Sequence, residues 1–142
     1  MFNPSREQVR QFFCESWRKY RQRGILEGAE ATAADLIAEH PEYHPLLEDP
    51  EQALSQEFTP ENGQMNPFLH LSLHLAIAEQ ISIDQPPGIR KAYQTLRQRL
   101  DVHDAEHALI ECLGEALWYA QRQGGAIDQP AYLESIRRRA GG

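Results

Sequence analysis

The sequence predicts an all-α protein: a single-domain helical bundle of about five or six helices, with a short-turn, proline-rich connection in its first half. Three observations carry that expectation. Apolar residues recur at helical spacing, as in Val9, Phe13, Trp17 and Tyr20. Asn or Asp followed directly by proline precedes several such runs, at Asn3-Pro4, Asp49-Pro50 and Asn66-Pro67, which is how a capped helix begins. In the one stretch that alternates like a strand, leucine and alanine outnumber β-branched residues until near its end.

The first helix follows from Asn3-Pro4 and ends before Gly24, with Arg18, Lys19, Arg21 and Arg23 near its C-terminus, where positive charge suits the helix dipole. A second is expected over Ala29 to Glu39, with Ala33, Leu36 and Ile37 inward, and His40-Pro41 ends it. Pro41, Pro45 and Pro50 then allow only short turns or single-turn helices, one of them opened by Asp49. Thr59 to Asn66 reads as loop, with Asn62-Gly63 as its turn.

Leu69, Leu71, Leu73, Leu75 and Ile77 alternate with His70, Ser72, His74 and Ala76, which by period alone is a strand. The cap at Asn66-Pro67 and the length of the run, to about Ile83, favour a helix, because a strand that long is unusual. On that helix His70, Leu73, His74, Ile77 and Ile81 share one stripe, whereas Glu79 falls on the face opposite His70. Its apolar character over most of its circumference predicts a central position.

Asp84-Gln85-Pro86-Pro87-Gly88 is a break. Ile89, Tyr93, Leu96 and Leu100 mark the next helix. Asp101 caps the longest one, which runs to about Gln123 and stops at Gly124-Gly125, with Val102, Leu109, Leu113, Ala116, Leu117 and Ala120 as its stripe. Asp128 and Pro130 begin a last helix carrying Tyr132, Leu133 and Ile136. Residues 140–142 are expected to be a disordered tail.

Charge narrows the function classes. The formal net charge of −7 argues against nucleic acid or an anionic membrane as partner. Charge is also segregated: no Lys or Arg lies between Arg23 and Arg90, an interval rich in acids from Glu27 to Asp84. A protein partner that reads the acidic middle or the Arg137-Arg138-Arg139 cluster is the alternative to a merely solvated surface. The absence of a long apolar run predicts no membrane span, the N-terminus has no apolar signal core, and a cytoplasmic location is expected. Cys14 and Cys112 sit at apolar-periodic positions and read as reduced core thiols, with a disulfide between them left open.

The six histidines form three pairs, each four residues apart: His40 and His44, His70 and His74, His103 and His107. On a helix that spacing puts two imidazoles on one face, within reach of one ion. Glu111, one turn beyond His107, extends the third pair. A metal site formed by His70, His74, His103, His107 and Glu111 on two facing helices is therefore expected, with zinc or iron as the ion. Asp104 and Glu115 are candidates to orient those ligands. His40 and His44 are set aside as turn residues, because Pro41 interrupts their helical spacing, and Tyr43 is expected to pack inward. Two blander readings stand beside the metal site: a buried polar network, and a solvated face for the His103–Glu111 stripe. His-Asp-Ala-Glu-His is not the zinc-protease motif, since no glutamate directly follows the first histidine, and no phosphate loop, dinucleotide fingerprint or nucleophile elbow is present. Trp17, Trp118 and Tyr119 have core spacing.

Asn66-Pro67-Phe68-Leu69-His70-Leu71-Ser72-Leu73-His74-Leu75-Ala76-Ile77, then Ser82 to Ile89, together with Met1 to Arg6 and Glu111-Cys112-Leu113-Gly114-Glu115, resemble a proteobacterial family of small proteins classed as a domain of unknown function. The resemblance implies a bacterial cytosolic protein that is helical throughout, and it implies no reaction or ligand set. Two functions are carried forward: a metal-binding helical bundle, and a non-catalytic interaction or adaptor module whose histidines form a structural network.

Overall fold

The structure is a computed structural model that describes residues 5–58 and 66–141. Among these residues there is no strand. The described residues form eight α-helices where about five or six were expected: α1 (Arg6–Arg21), α2 (Ala29–Ala38), α3 (His44–Leu47), α4 (Pro50–Ser55), α5 (Pro67–Ile83), α6 (Ile89–Arg97), α7 (Val102–Gln123) and α8 (Gln129–Gly141). The surplus comes from the proline-rich connection. There the chain folds into a 3₁₀ turn over Pro41–Tyr43 and the very short helices α3 and α4, each started by a proline at an early position.

The capping chemistry agrees with the sequence at most boundaries. The Asn3-Pro4 start lies outside the described residues. The cap seen on α1 is Ser5, whose hydroxyl accepts from Gln8 N while the Gln8 side chain accepts from Ser5 N. Asp49 caps α4, Asp101 caps α7 and Asp128 accepts from Ala131 N at the start of α8. Asn66 Oδ1 accepts from Phe68 N at 2.9 Å and from Leu69 N at 3.3 Å, so α5 starts where expected. Gly124 ends α7 in the left-handed conformation, φ +69°. The loop turn read at Asn62-Gly63 lies outside the described residues. Helix α8 continues through a buried Ala140 to Gly141.

Contacts divide the chain into two compact units, residues 1–75 and 76–142, with the division falling inside α5. In the first unit α1 packs on α2, α3 and α4. Its core joins Phe13, Cys14 and Trp17 of α1 to Ala33, Leu36 and Ile37 of α2, with Phe68 and Leu71 of α5. Arg10 is buried there too. It donates through Nη1 to Ala53 O at 2.8 Å and Gln56 O at 2.7 Å, and its guanidinium lies over the Phe68 ring. In the second unit α6, α7 and α8 pack pairwise, burying Ile89, Leu96, Leu113, Tyr132 and Ile136 among others. The Tyr132 hydroxyl donates to Gln80 Oε1 at 2.6 Å.

Two expectations about exposure are corrected. Trp118 and Tyr119 are about half exposed, at 52% and 51%, and are not core residues. The reason is helical phase: Leu109 and Leu113 set the buried side of α7, and Trp118 lies roughly 140–180° around the axis from them. Arg122 covers the Trp118 ring instead, 4.7 Å from its centroid. Val102, placed on the apolar stripe, is likewise exposed at the first turn.

Candidate metal centre

The site in the first unit begins at the C-terminal end of α2. Pro41 keeps the helix from continuing, and His40, two residues past its end, turns its ring back so that Nδ1 meets Leu36 O at 2.7 Å. A carbonyl only accepts, so Nδ1 carries the proton and Nε2 is the atom left to act as a ligand or acceptor. The 3₁₀ turn then brings Tyr43 over the same ring, with centroids 5.4 Å apart and planes 3° from parallel. Tyr43 is half-buried, as expected, and burial raises its phenol above the ordinary value, with Glu42 adding to the shift.

Helix α5 supplies the other two rings. His70 and His74 are one turn apart on it, and their Nε2 atoms face each other at 3.2 Å. His40 stands edge-on to both, at centroid distances of 5.2 Å to His70 and 5.0 Å to His74, and the His70–His74 distance is 4.7 Å. The three rings therefore form a nearly equilateral cluster in which each offers a ring nitrogen, all within 4.8 Å of one another. His40 and His74 are 3% and 2% exposed, and His70 is half-buried.

His40 is the residue that spacing did not point to. Pro41 does break the helical register between His40 and His44, yet the turn it enforces folds the His40 ring back toward α5. A histidine just after a helix C-cap, four residues beyond a carbonyl it can reach, was the available signal. Its neighbour His44 behaves as expected of a turn residue. Its Nε2 donates to Ile37 O at 2.8 Å, and Trp17 stacks on its ring.

The second unit holds the other expected residues. His103 and His107 are neighbours on α7, with centroids 4.0 Å apart; His103 is exposed and His107 half-buried. Glu111, on the next turn, is exposed and its carboxylate is ion-paired with Arg139 of α8. That contact raises the Arg139 guanidinium above its usual value. Asp104 uses its backbone N–H in the Asp101 cap, and Glu115 is exposed. Both cysteines are buried free thiols, and burial pushes Cys14 up to about 11, with Glu15 adding to the effect.

These features define an all-α protein with a buried imidazole cluster at the end of a proline-terminated helix. No helix among the described residues is long and apolar enough to cross a membrane. The chain belongs to the family described as a domain of unknown function (DUF1841), whose pattern matches residues 5–138. No curated protein and no solved structure matches it.

Proposed function

We propose that this protein binds a first-row transition metal ion through Nε2 of His40, His70 and His74. The observation that carries the proposal is the 3.2 Å separation of the His70 and His74 Nε2 atoms. Metal–imidazole bonds of about 2.0–2.1 Å put two ligands of a tetrahedral site roughly 3.3–3.4 Å apart, and adjacent ligands of an octahedral site roughly 2.8–3.0 Å apart. The observed distance lies between those values. The Leu36 carbonyl supplies the supporting contact that metal-bound imidazoles usually have, fixing both the tautomer and the ring direction of His40. An all-imidazole donor set suits zinc, iron, copper or nickel, and does not suit magnesium or calcium.

Three imidazoles leave at least one coordination position for a further donor. The wider set expected from the sequence adds His103, His107 and Glu111, and it is kept as part of the proposal. It is tested by whether His107→Ala, His103→Ala or Glu111→Gln lowers metal affinity. Water is the donor if none of them does. Because a metal takes the neutral imidazole, binding weakens on acidification. A bacterial origin and a cytoplasmic location are likewise proposed, supported by the resemblance to a proteobacterial family and by two buried free thiols.

The test is the metal content of the purified protein and its melting temperature before and after chelation, with His74→Ala in parallel. Near-stoichiometric metal that chelation removes with a fall in melting temperature, both absent in the variant, is the expected result. Sub-stoichiometric metal in both proteins, with no change on chelation, overturns it. The second reading is a structural polar network serving an interaction module. It is favoured by the same His70–His74 contact, since one neutral imidazole can donate to the other at 3.2 Å. That reading predicts a folded protein indifferent to metal.

A further inference from the structure

Aromatic side chains connect the imidazole cluster to the surface of the first unit. Tyr43 stacks flat on His40. The next residue in the chain, His44, stacks on Trp17 with centroids 4.3 Å apart, and its bond to Ile37 O holds that ring in place. Trp17 stacks in turn on Tyr20 at 5.2 Å, with planes 16° apart. Trp17 is only 6% exposed, whereas Tyr20 is 45% exposed. The run starts at a proposed ligand and ends in solvent. Beside it, Trp17 Nε1 donates to Glu48 Oε2 at 3.2 Å, so a carboxylate stands ready at the indole proton.

We propose that this run is an electron path, and that the centre holds a redox-cycling ion, iron or copper, in place of zinc. The inference rests on the metal reading above and adds to it which class of metal is bound and what it does. Tryptophan and tyrosine are the aromatic side chains most readily oxidised by one electron; stacking makes the His40–Tyr43, His44–Trp17 and Trp17–Tyr20 transfers short, and the backbone joins Tyr43 to His44. Filling the core does not require them: Phe13, one turn before Trp17 on α1, is fully buried and is not readily oxidised.

The oxidant proposed is hydrogen peroxide. Reduced to two waters, it takes up two electrons, and two protons from solvent. Bound Fe(II) supplies one electron and becomes Fe(III). Trp17 supplies the other through His44, Tyr43 and His40, and its indole proton passes to Glu48, leaving a neutral tryptophan radical. Tyr20 then returns an electron to Trp17, Glu48 returns the proton, and the Tyr20 phenol loses its own proton to solvent. The oxidising equivalent ends as a tyrosyl radical at the surface, where a soluble thiol or phenol reductant meets it.

Protein loaded anaerobically with Fe(II) is mixed with hydrogen peroxide, freeze-quenched and examined by electron paramagnetic resonance. The Zn(II)-loaded protein serves as the redox-inert control, and equilibrium dialysis measures retention of both ions. A tyrosyl signal in the Fe(II) protein that is absent with Zn(II), replaced by a tryptophan signal in Tyr20→Phe and lost in Trp17→Phe, is the expected result. Tyr20 is exposed, so Tyr20→Phe keeps the test valid even if Trp17→Phe fails to fold. Retention of Fe(II) without any organic radical, or a signal unaffected by Tyr20→Phe, overturns the electron path and leaves the metal reading standing. Failure to retain either ion overturns both.

Discussion

Arg10 shows how much one side chain decides in the first unit. Its guanidinium is buried, which lowers its pKa, with the Arg6 charge acting in the same direction. It holds two carbonyls at the end of α4 and lies over Phe68 at the start of α5. Arg10→Ala leaves those carbonyls without their donor and opens a cavity, so a loss of about 2–4 kcal/mol is expected in urea unfolding, and Arg10→Lys recovers only part of it. Cys14 gives a prediction of a different kind. Burial raises its pKa from 9.0 to about 11, so the folded state favours the neutral thiol. The stabilisation is complete below pH 9 and is lost as pH rises toward 11. Denaturant midpoints measured across that window should fall more steeply for the wild type than for Cys14→Ala, and a thiol reagent at pH 8 should label Cys14 far more slowly than a free cysteine.

At the scale of the element, α5 is where local and tertiary signals competed. Its alternating leucines match a strand, but the Asn66 cap, the length of the run and the scarcity of β-branched residues all favour a helix, and the helix forms over Pro67–Ile83. Asn66→Ala removes the acceptor for two backbone N–H groups and should cost about 1 kcal/mol in thermal unfolding. If α5 positions His70 and His74 as proposed, the same substitution also weakens metal binding. Gly124 ends α7 at φ +69°, so Gly124→Ala is expected to cost about 1 kcal/mol, whereas the same change at Gly114, inside that helix, is expected to be stabilising. The Trp118 correction belongs to this scale as well. Spacing to apolar neighbours placed it in the core, but a long helix has several apolar lines, and packing against α6 and α8 selects among them.

For the whole molecule, the all-α class, the proline-rich connection and most caps were legible, because each depends on residues close together in sequence. Counting helices failed only where proline fragments the chain into single turns, since periodicity has no purchase on such short segments. The candidate centre was half legible. His70 and His74 share one helix, so their spacing announces them. His40 joins them across a change of direction that Pro41 imposes, and helical spacing carries no information about a contact made through a turn. Metal binding as proposed therefore depends on His40, the proposed ligand that helical spacing did not nominate. The direct test is titration of the apo protein with Co(II), followed by its visible absorption, in the wild type and in His40→Ala. Saturation at about one ion per chain with ligand-field bands of nitrogen coordination, and markedly weaker binding in a folded His40→Ala, is the result predicted. Wild-type and His40→Ala curves that coincide, or no absorption at all, would contradict it.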